Sequence, residues 1–368
     1  MECSDWGERS PRWAGIRSQT VEVCGSSVHF LTADAAGPGA PTHLLIHSTL
    51  GSATNWLDTI RPLTACGRVI APDLPSTLAG HTAAPHRRAA RAQINARFLR
   101  AFTATLGLRD VVAHGWSMGG LVALLFADLA PGRVGGLVLV APTLPGPLSA
   151  AQALGWQTLG RLTVAAGSPV LRGLLRLTGR RLLELKKRRY DLAAYGGDPS
   201  RPSHDITALW AEELDGIRAR PDRLPDAVTA FFGSAVSALY IRRRPVQDAA
   251  DRVAVPTLLL WGDQDPLIGR PVIDDLTARR PDWSLHASSP SDICCRLRPP
   301  TPTPTWSQSG GAKWPAPGGN LLHGAATGPR VAALLACAID ITTMTACSNS
   351  ANVTAGWRTD LQYSRADS

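Results

Sequence analysis

The chain is predicted to be an α/β protein: a doubly wound, mostly parallel sheet with one inserted helical lobe. Three observations carry the prediction. Short, continuously apolar runs at 44–47, 69–71, 111–113, 137–140 and 255–261 alternate with stretches of helical spacing, as strands buried on both faces of a parallel sheet require. A Gly-x-Ser-x-Gly sequence, Gly115-Trp116-Ser117-Met118-Gly119, joins one of these runs to the helical stretch behind it. Between about 143 and 250 the alternation stops, and the pattern is helical and rich in Leu and Arg.

Composition sets the bounds. At 368 residues, 44% hydrophobic and 18% charged, the sequence has the make-up of an ordinary globular protein with room for a sizeable core. The net charge of +9 comes almost entirely from arginine. The basic clusters at Arg180-Arg181 and Lys186-Lys187-Arg188-Arg189 are interleaved with Leu182, Leu183 and Leu185. They read as the solvated face of an amphipathic helix rather than a nucleic-acid patch. Seven scattered cysteines without a C-x-x-C spacing point away from a zinc site or a disulfide framework and towards a reducing compartment. With no apolar run of spanning length, the expectation is a cytoplasmic protein without stable membrane insertion.

Taken in order, residues 1–18 read as a loose polar leader. Val21-Glu22-Val23-Cys24 and Val28-His29-Phe30-Leu31, separated by Gly25-Ser26-Ser27, read as a hairpin. The 44–47 strand leads into a loop with Gly51 and Ser52, then a helix over 55–64; the 69–71 strand ends at Pro72-Asp73-Leu74-Pro75. Helical spacing at 87–106, the 111–113 strand, an apolar helix to 130 and the 137–140 strand complete the first part of the core, 19–142. The helical lobe, 143–250, is expected to lie as a cap over the C-terminal edge of the sheet. Its Trp156, Trp210, Phe231, Phe232 and Tyr240 would form an apolar roof. The core resumes over 251–342, with a last strand near 283–286, a Pro-rich low-complexity stretch at 288–319 that reads as extended and mobile, and a helix at 331–339; a polar tail, 343–368, follows.

At Ser117 the pattern reads as a nucleophile elbow. Small residues two before and two after the serine let strand and helix approach closely, and the strained turn lifts the hydroxyl clear of the sheet.

Four motifs together resemble the α/β-hydrolase fold superfamily, in particular its lid-bearing serine esterase-like branch, over roughly residues 20–340. They are His47-Ser48-Thr49-Leu50-Gly51-Ser52, Ala71-Pro72-Asp73-Leu74-Pro75, the elbow, and Trp261-Gly262-Asp263-Gln264-Asp265-Pro266. The resemblance implies a Ser117–Asp265–His323 triad in the family's chain order, with Asp263 as the competing carboxylate. It also implies oxyanion donors at the Thr49 and Met118 amides, with Trp116 and Ser48 lining the substrate. Two departures stand out. Ser48 replaces the glycine that usually follows the loop histidine, and no histidine follows the last strand closely. His286 falls within that strand, so His323, ahead of Pro329 and the 331–339 helix, is the candidate base.

The implied activity is hydrolysis of a small, largely apolar carboxylic ester through an acyl-enzyme. A Ser-triad thioesterase, acyltransferase or carbon–carbon hydrolase, or a non-catalytic ligand-binding relic, stay open as alternatives. Neither a metal-ligand cluster nor a phosphate-cradling glycine loop is present in the sequence, so no cofactor is implied.

Overall fold

The computed structural model describes residues 5–35, 40–48, 51–75, 82, 91–162, 203–218, 235–263, 265 and 268–288. Its frame is an eight-stranded sheet: β1 (Arg17–Val23), β2 (Ser26–Ala33), β3 (Thr42–Ile46), β4 (Arg68–Pro72), β5 (Val111–Trp116), β6 (Val134–Val140), β7 (Thr257–Gly262) and β8 (Ser284–Ser288). The spatial order is β1-β2-β4-β3-β5-β6-β7-β8. β2 pairs antiparallel with both neighbours, and every pairing from β4 through β8 is parallel. The β3/β4 exchange makes β3 and β5 adjacent, so the loop leaving β3 and the turn leaving β5 emerge side by side at one edge.

Helices α1 (Leu57–Leu63), α2 (Ala92–Thr105), α3 (Met118–Leu129), α4 (Ala150–Gly155), α5 (His204–Arg218), α6 (Arg244–Arg252) and α7 (Arg270–Arg279) accompany the strands. Alternate residues of each strand face opposite sides. Leu44, Ile46, Ala113, Leu137, Leu139 and Leu259 share one core with α2, α3, α6 and α7. Leu45, Val69 and Ala71 share the other with α1. α3 is apolar nearly all round, Leu121 through Ala127 being buried, as expected of a helix enclosed on every side.

The N-terminal segment corrects the expectation of a loose leader. Two 3-10 turns, Trp6–Glu8 and Pro11–Trp13, precede β1, and each is capped by a side chain, Asp5 and Ser10 respectively. Trp13 is wholly buried, its indole N–H donating to Asp58 Oδ1 at 2.8 Å, and Trp6 meets it edge-on with centroids 6.0 Å apart. Ile206, Leu209 and Trp210 of α5 join the same cluster. Trp210 is thus part of this core, while Trp156 and Tyr240 stack at 4.5 Å; Phe231 and Phe232 lie outside the described residues.

Among the described parts of 143–250, residues 143–149 carry no helix, whereas 150–162, 204–218, 235–241 and 244–250 are helical. Of the two described cysteines, Cys24 is a free, exposed thiol and Cys66 is disulfide-bonded. Ser288 ends β8, and the rest of the Pro-rich stretch, His323, the 331–339 segment and the tail lie outside the described residues.

Candidate active site

The elbow has the geometry that its sequence implies. Ser117 stands between β5 and α3 with φ 54° and ψ −117°, a conformation costing an L-residue about 1–3 kcal/mol and persisting only where its surroundings enforce it. Ser117 N–H donates to Val140 O at 2.9 Å, and its carbonyl accepts from Gly120 N–H at 2.9 Å. The glycines are sterically required. A Cβ on Gly115 would lie 2.4 Å from Gly119 O, and one on Gly119 only 2.2 Å from Ile46 O. Met118 opens α3, where the first amides have no intrahelical acceptor and the helix dipole favours negative charge.

Thr143 is a neighbour that sequence reasoning missed. It follows β6, and its N–H donates to Ser117 O at 3.0 Å while its hydroxyl lies 3.2 Å from the Ser117 hydroxyl. Only the β5/β6 pairing, Trp116 opposite Val140, makes the contact.

The loop after β3 is clamped at both ends. His47 is buried; its Nδ1–H donates to Ser48 O at 2.7 Å and its Nε2 accepts from Leu74 N–H at 3.0 Å, which fixes a neutral imidazole. Burial lowers the His47 pKa, against the pull of the Asp73 charge and the Ser48 carbonyl. Gly51 N–H closes the turn onto Ser48 O at 3.2 Å, and Ser52 N–H donates to Asn55 Oδ1 at 3.1 Å. Ala53 N–H donates to Asp73 Oδ1 at 2.6 Å. Thr49, the expected second oxyanion donor, lies outside the described residues, and Ser48 sits half-buried at the mouth of the loop.

Asp73 is the hub behind this loop. Burial opposes its charge, but the His29 hydrogen bond, the electrostatic attraction of the His29 and His47 rings and the Ala53 amide hold its carboxyl below the ordinary value. His29 Nδ1 lies 2.9 Å from Asp73 Oδ2, His29 Nε2 lies 3.0 Å from Ser18 Oγ, and Trp6 Nε1–H donates to Ser18 Oγ at 3.0 Å. The Ala-Pro-Asp-Leu-Pro motif marked the strand end in the sequence, but nothing there assigned Asp73 a partner.

From α5, Glu213 reaches the same loop. Thr54 and Ser52 hydroxyls donate to its Oε1 at 2.6 and 3.2 Å. Burial, reinforced by the Asp73 charge, pushes its carboxyl up to about 7, the Thr54 and Ser52 hydrogen bonds and Arg9 pulling the other way.

Asp265 follows β7 in a tight turn. Its N–H donates to Gly262 O at 3.0 Å and its Oδ1 accepts from Ile268 N–H at 2.9 Å. Trp261 Nε1–H, donating to Ile268 O at 2.7 Å, braces the same turn. The competing Asp263 is exposed, whereas Asp265 is half-buried. Trp116, Val140 and Leu260 stand in register, so the acidic turn leaves the edge that bears Ser117. Two strand spacings, roughly 10 Å, separate β5 from β7. His286 pairs with Leu260 inside β8, level with Trp116 but three strands away from it. Ser117, Met118, Trp116, Ser48 and Asp265 therefore belong to one edge of the sheet, and His323 lies outside the described residues. Among the described residues, no group of three or more His, Cys, Asp or Glu is placed to hold a metal, and no helix is long and apolar enough to cross a membrane.

A family model described as alpha/beta hydrolase fold matches residues 41–288. The chain belongs to the α/β-hydrolase fold family. Among curated proteins it is similar to a 2-hydroxy-6-oxononadienedioate/2-hydroxy-6-oxononatrienedioate hydrolase of Cupriavidus pinatubonensis (strain JMP 134). The two are 29% identical over 257 residues, covering 68% of this chain and 79% of the relative. It is also similar to the dihydrolipoyllysine-residue acetyltransferase component of the acetoin cleaving system of Cupriavidus necator, at 32% identity over 257 residues, 69% of this chain and 59% of that protein. Of solved structures, the 2-hydroxy-6-oxo-6-phenylhexa-2,4-dienoate hydrolase of Rhodococcus sp. strain RHA1 shares the fold. Its TM-score is 0.55 at 18% identity, over 75% of this chain and 91% of that one. In this α/β hydrolase the eight-stranded, mostly parallel sheet is the fold class that the alternating apolar runs implied.

Proposed function

We propose that this α/β hydrolase attacks a carbonyl carbon with the Ser117 hydroxyl, and that Asp265 and His323 complete a triad with it. The observation that carries the reading is the Ser117 backbone, held at φ 54° where β5 meets the N-terminus of α3. A seryl oxygen presented there adds to a carbonyl, and the developing oxyanion is met by the Met118 amide and, in this reading, the Thr49 amide. The base takes the hydroxyl proton and passes it to the leaving group.

The relatives' names support one substrate class: a 2-hydroxy-6-oxo-dienoic acid, in this reading cleaved at the carbon–carbon bond beside its 6-oxo group. Such a bond breaks heterolytically once a proton shift from the 2-hydroxyl to C5 gives the 2-oxo-3-ene tautomer, whose conjugated 2-oxo group takes up the electron pair as a dienolate that is then protonated on oxygen. Water releases the acyl group from Ser117. A carboxylic ester is the second reading, favoured by the uncharged neighbours Trp116, Met118, Pro142, Thr143 and Leu144 around Ser117. In either case the 143–250 segment would serve as the cap.

The test is a paired assay. The full chain and its Ser117→Ala variant are given a 2-hydroxy-6-oxo-dienoate, followed by loss of its conjugated absorbance, and a p-nitrophenyl ester series. Turnover of the dienoate, abolished in Ser117→Ala, is expected. Turnover of esters alone would replace the first substrate class by the second. No turnover of either, with no fluorophosphonate labelling of Ser117, would overturn the nucleophile. Asp265→Asn is expected to remain folded and lose roughly 10⁴-fold in turnover; the same loss in Asp263→Asn instead would reassign the acid.

A further inference from the structure

Glu213 stands on α5, in the segment between β6 and β7, yet its carboxylate is engaged with the loop that follows β3. Thr54 and Ser52, whose hydroxyls it accepts, are themselves buried, and those two hydroxyls lie 2.5 Å apart. One residue before Ser52 comes Gly51, the last residue of the turn that starts at Ser48. A Cβ at Gly51 would lie 1.9 Å from Asn55 Oδ1, so the turn and the Ser52–Asn55 segment have no slack between them. α5 is in turn tied to the N-terminal segment and α1. Ser10 Oγ donates to Asp205 Oδ2 at 2.5 Å, Arg9 pairs with Glu212 at 2.5 Å, and Ser203 Oγ donates to Asp58 Oδ2 at 3.0 Å.

We propose that Glu213 is a positioning residue: its carboxyl fixes the Ser52–Thr54 turn and so couples α5 to the loop that follows β3. The charged and titratable groups around it come from four elements. Asp73, after β4, is a buried like charge; His29 of β2 is bonded to Asp73; His47, after β3, is neutral on its far side; Arg9 of the N-terminal segment is the attracting cation. With Glu213 protonated, Oε1 keeps both hydroxyl hydrogen bonds and a single buried negative charge, on Asp73, is shared by the network. Ionisation puts a second carboxylate beside the first in a site poor in water. The folded carboxyl is raised to about 7 from an ordinary 4.5, so the folded form binds the proton more tightly than the unfolded form does. The sign follows: the Thr54 and Ser52 hydrogen bonds favour the ionised carboxyl, but burial outweighs them, so the stability that the docked α5 contributes is complete at low pH and is lost as pH rises through about 7.

The inference stands on these contacts and uses the Ser117 reading only for its activity arm. Backbone hydrogen exchange over 51–56 is measured at pH 6 and pH 8, corrected for intrinsic rates, in the full chain and in Glu213→Gln and Glu213→Ala. Wild type is expected to lose protection by about fivefold or more between the two pH values. Gln, which keeps an acceptor but does not titrate, should hold its protection at both, and Ala should be poorly protected at both. Identical pH responses of wild type and Gln, or an Ala variant as protected as wild type, would overturn the proposal. In the activity arm, the rate of fluorophosphonate labelling at Ser117 is expected to fall above about pH 7 relative to Glu213→Gln. Equal labelling profiles for the two would also overturn it. Absent labelling together with the expected exchange pattern would instead sink the nucleophile reading alone.

Discussion

The carbonyl of Ser117 accepts from the Thr143 amide at 3.0 Å, and the hydroxyls of the same two residues lie 3.2 Å apart. The strained residue at the elbow is therefore gripped by backbone and side chain from the neighbouring strand end. Replacing Thr143 by Val keeps the shape and the amide but removes the hydroxyl. Given the net worth of one such hydrogen bond, kcat is expected to fall about three- to tenfold with KM little changed, and Thr143→Ser to restore it. Steady-state kinetics on whichever carbonyl substrate is turned over would check this; an unchanged kcat in the Val variant would remove Thr143 from the elbow's support.

Close packing at the elbow sets a second expectation. Gly119→Ala would drive a methyl into Ile46 O and His47 O, both backbone atoms of a buried strand end that cannot swing aside. A loss of about 3 kcal/mol is expected by urea denaturation. Gly132, with nothing within 4 Å of its would-be Cβ, is the control, and its Ala variant should stay within about 1 kcal/mol of wild type.

The N-terminal segment should behave as core. Trp13 is fully buried and donates its indole N–H to Asp58, so Trp13→Ala is expected to cost about 3–5 kcal/mol. A melting temperature equal to wild type would return residues 5–16 to the status of a leader.

Asp73 gives an acid-side pH dependence. Its folded carboxyl titrates below the ordinary 3.8, so its contribution is complete above that value and drains away as pH falls through it and below. The urea midpoint of wild type is expected to drop from pH 5 to pH 3 more steeply than that of Asp73→Asn. Parallel slopes would mean that other carboxylates carry the acid sensitivity.

Much of the frame was legible because its signals are local. A strand buried on both faces is a short apolar run, and β3 to β7 each coincide with one; the elbow is five consecutive residues whose glycines are demanded by backbone atoms close at hand. The N-terminal turns were not legible, since a three-residue 3-10 turn has no periodicity. Trp6 and Trp13 are buried only because α1 and α5 come to them from elsewhere in the chain. Thr143, Asp73 and Glu213 escaped for the same reason: each acquires its role from a partner 20 to 160 residues away. Asp265 and Asp263 are separable in the sequence only by motif; in the fold Asp265 is half-buried and Asp263 exposed.

The strand order also has a consequence in time. β1 to β6 are contiguous in space and come from residues 17–140, whereas β7 and β8 come from 257–288. A chain emerging from the ribosome therefore completes six adjacent strands, with Ser117 and its glycines in place, while α5 and the acidic turn are still to be made. At ordinary elongation rates that interval is on the order of ten seconds. Any chemistry needing both Ser117 and the turn at Asp265 is withheld until β7 docks along β6, Leu258 against Val138 and Leu260 against Val140. The order of synthesis thus separates forming the elbow from forming the acidic turn.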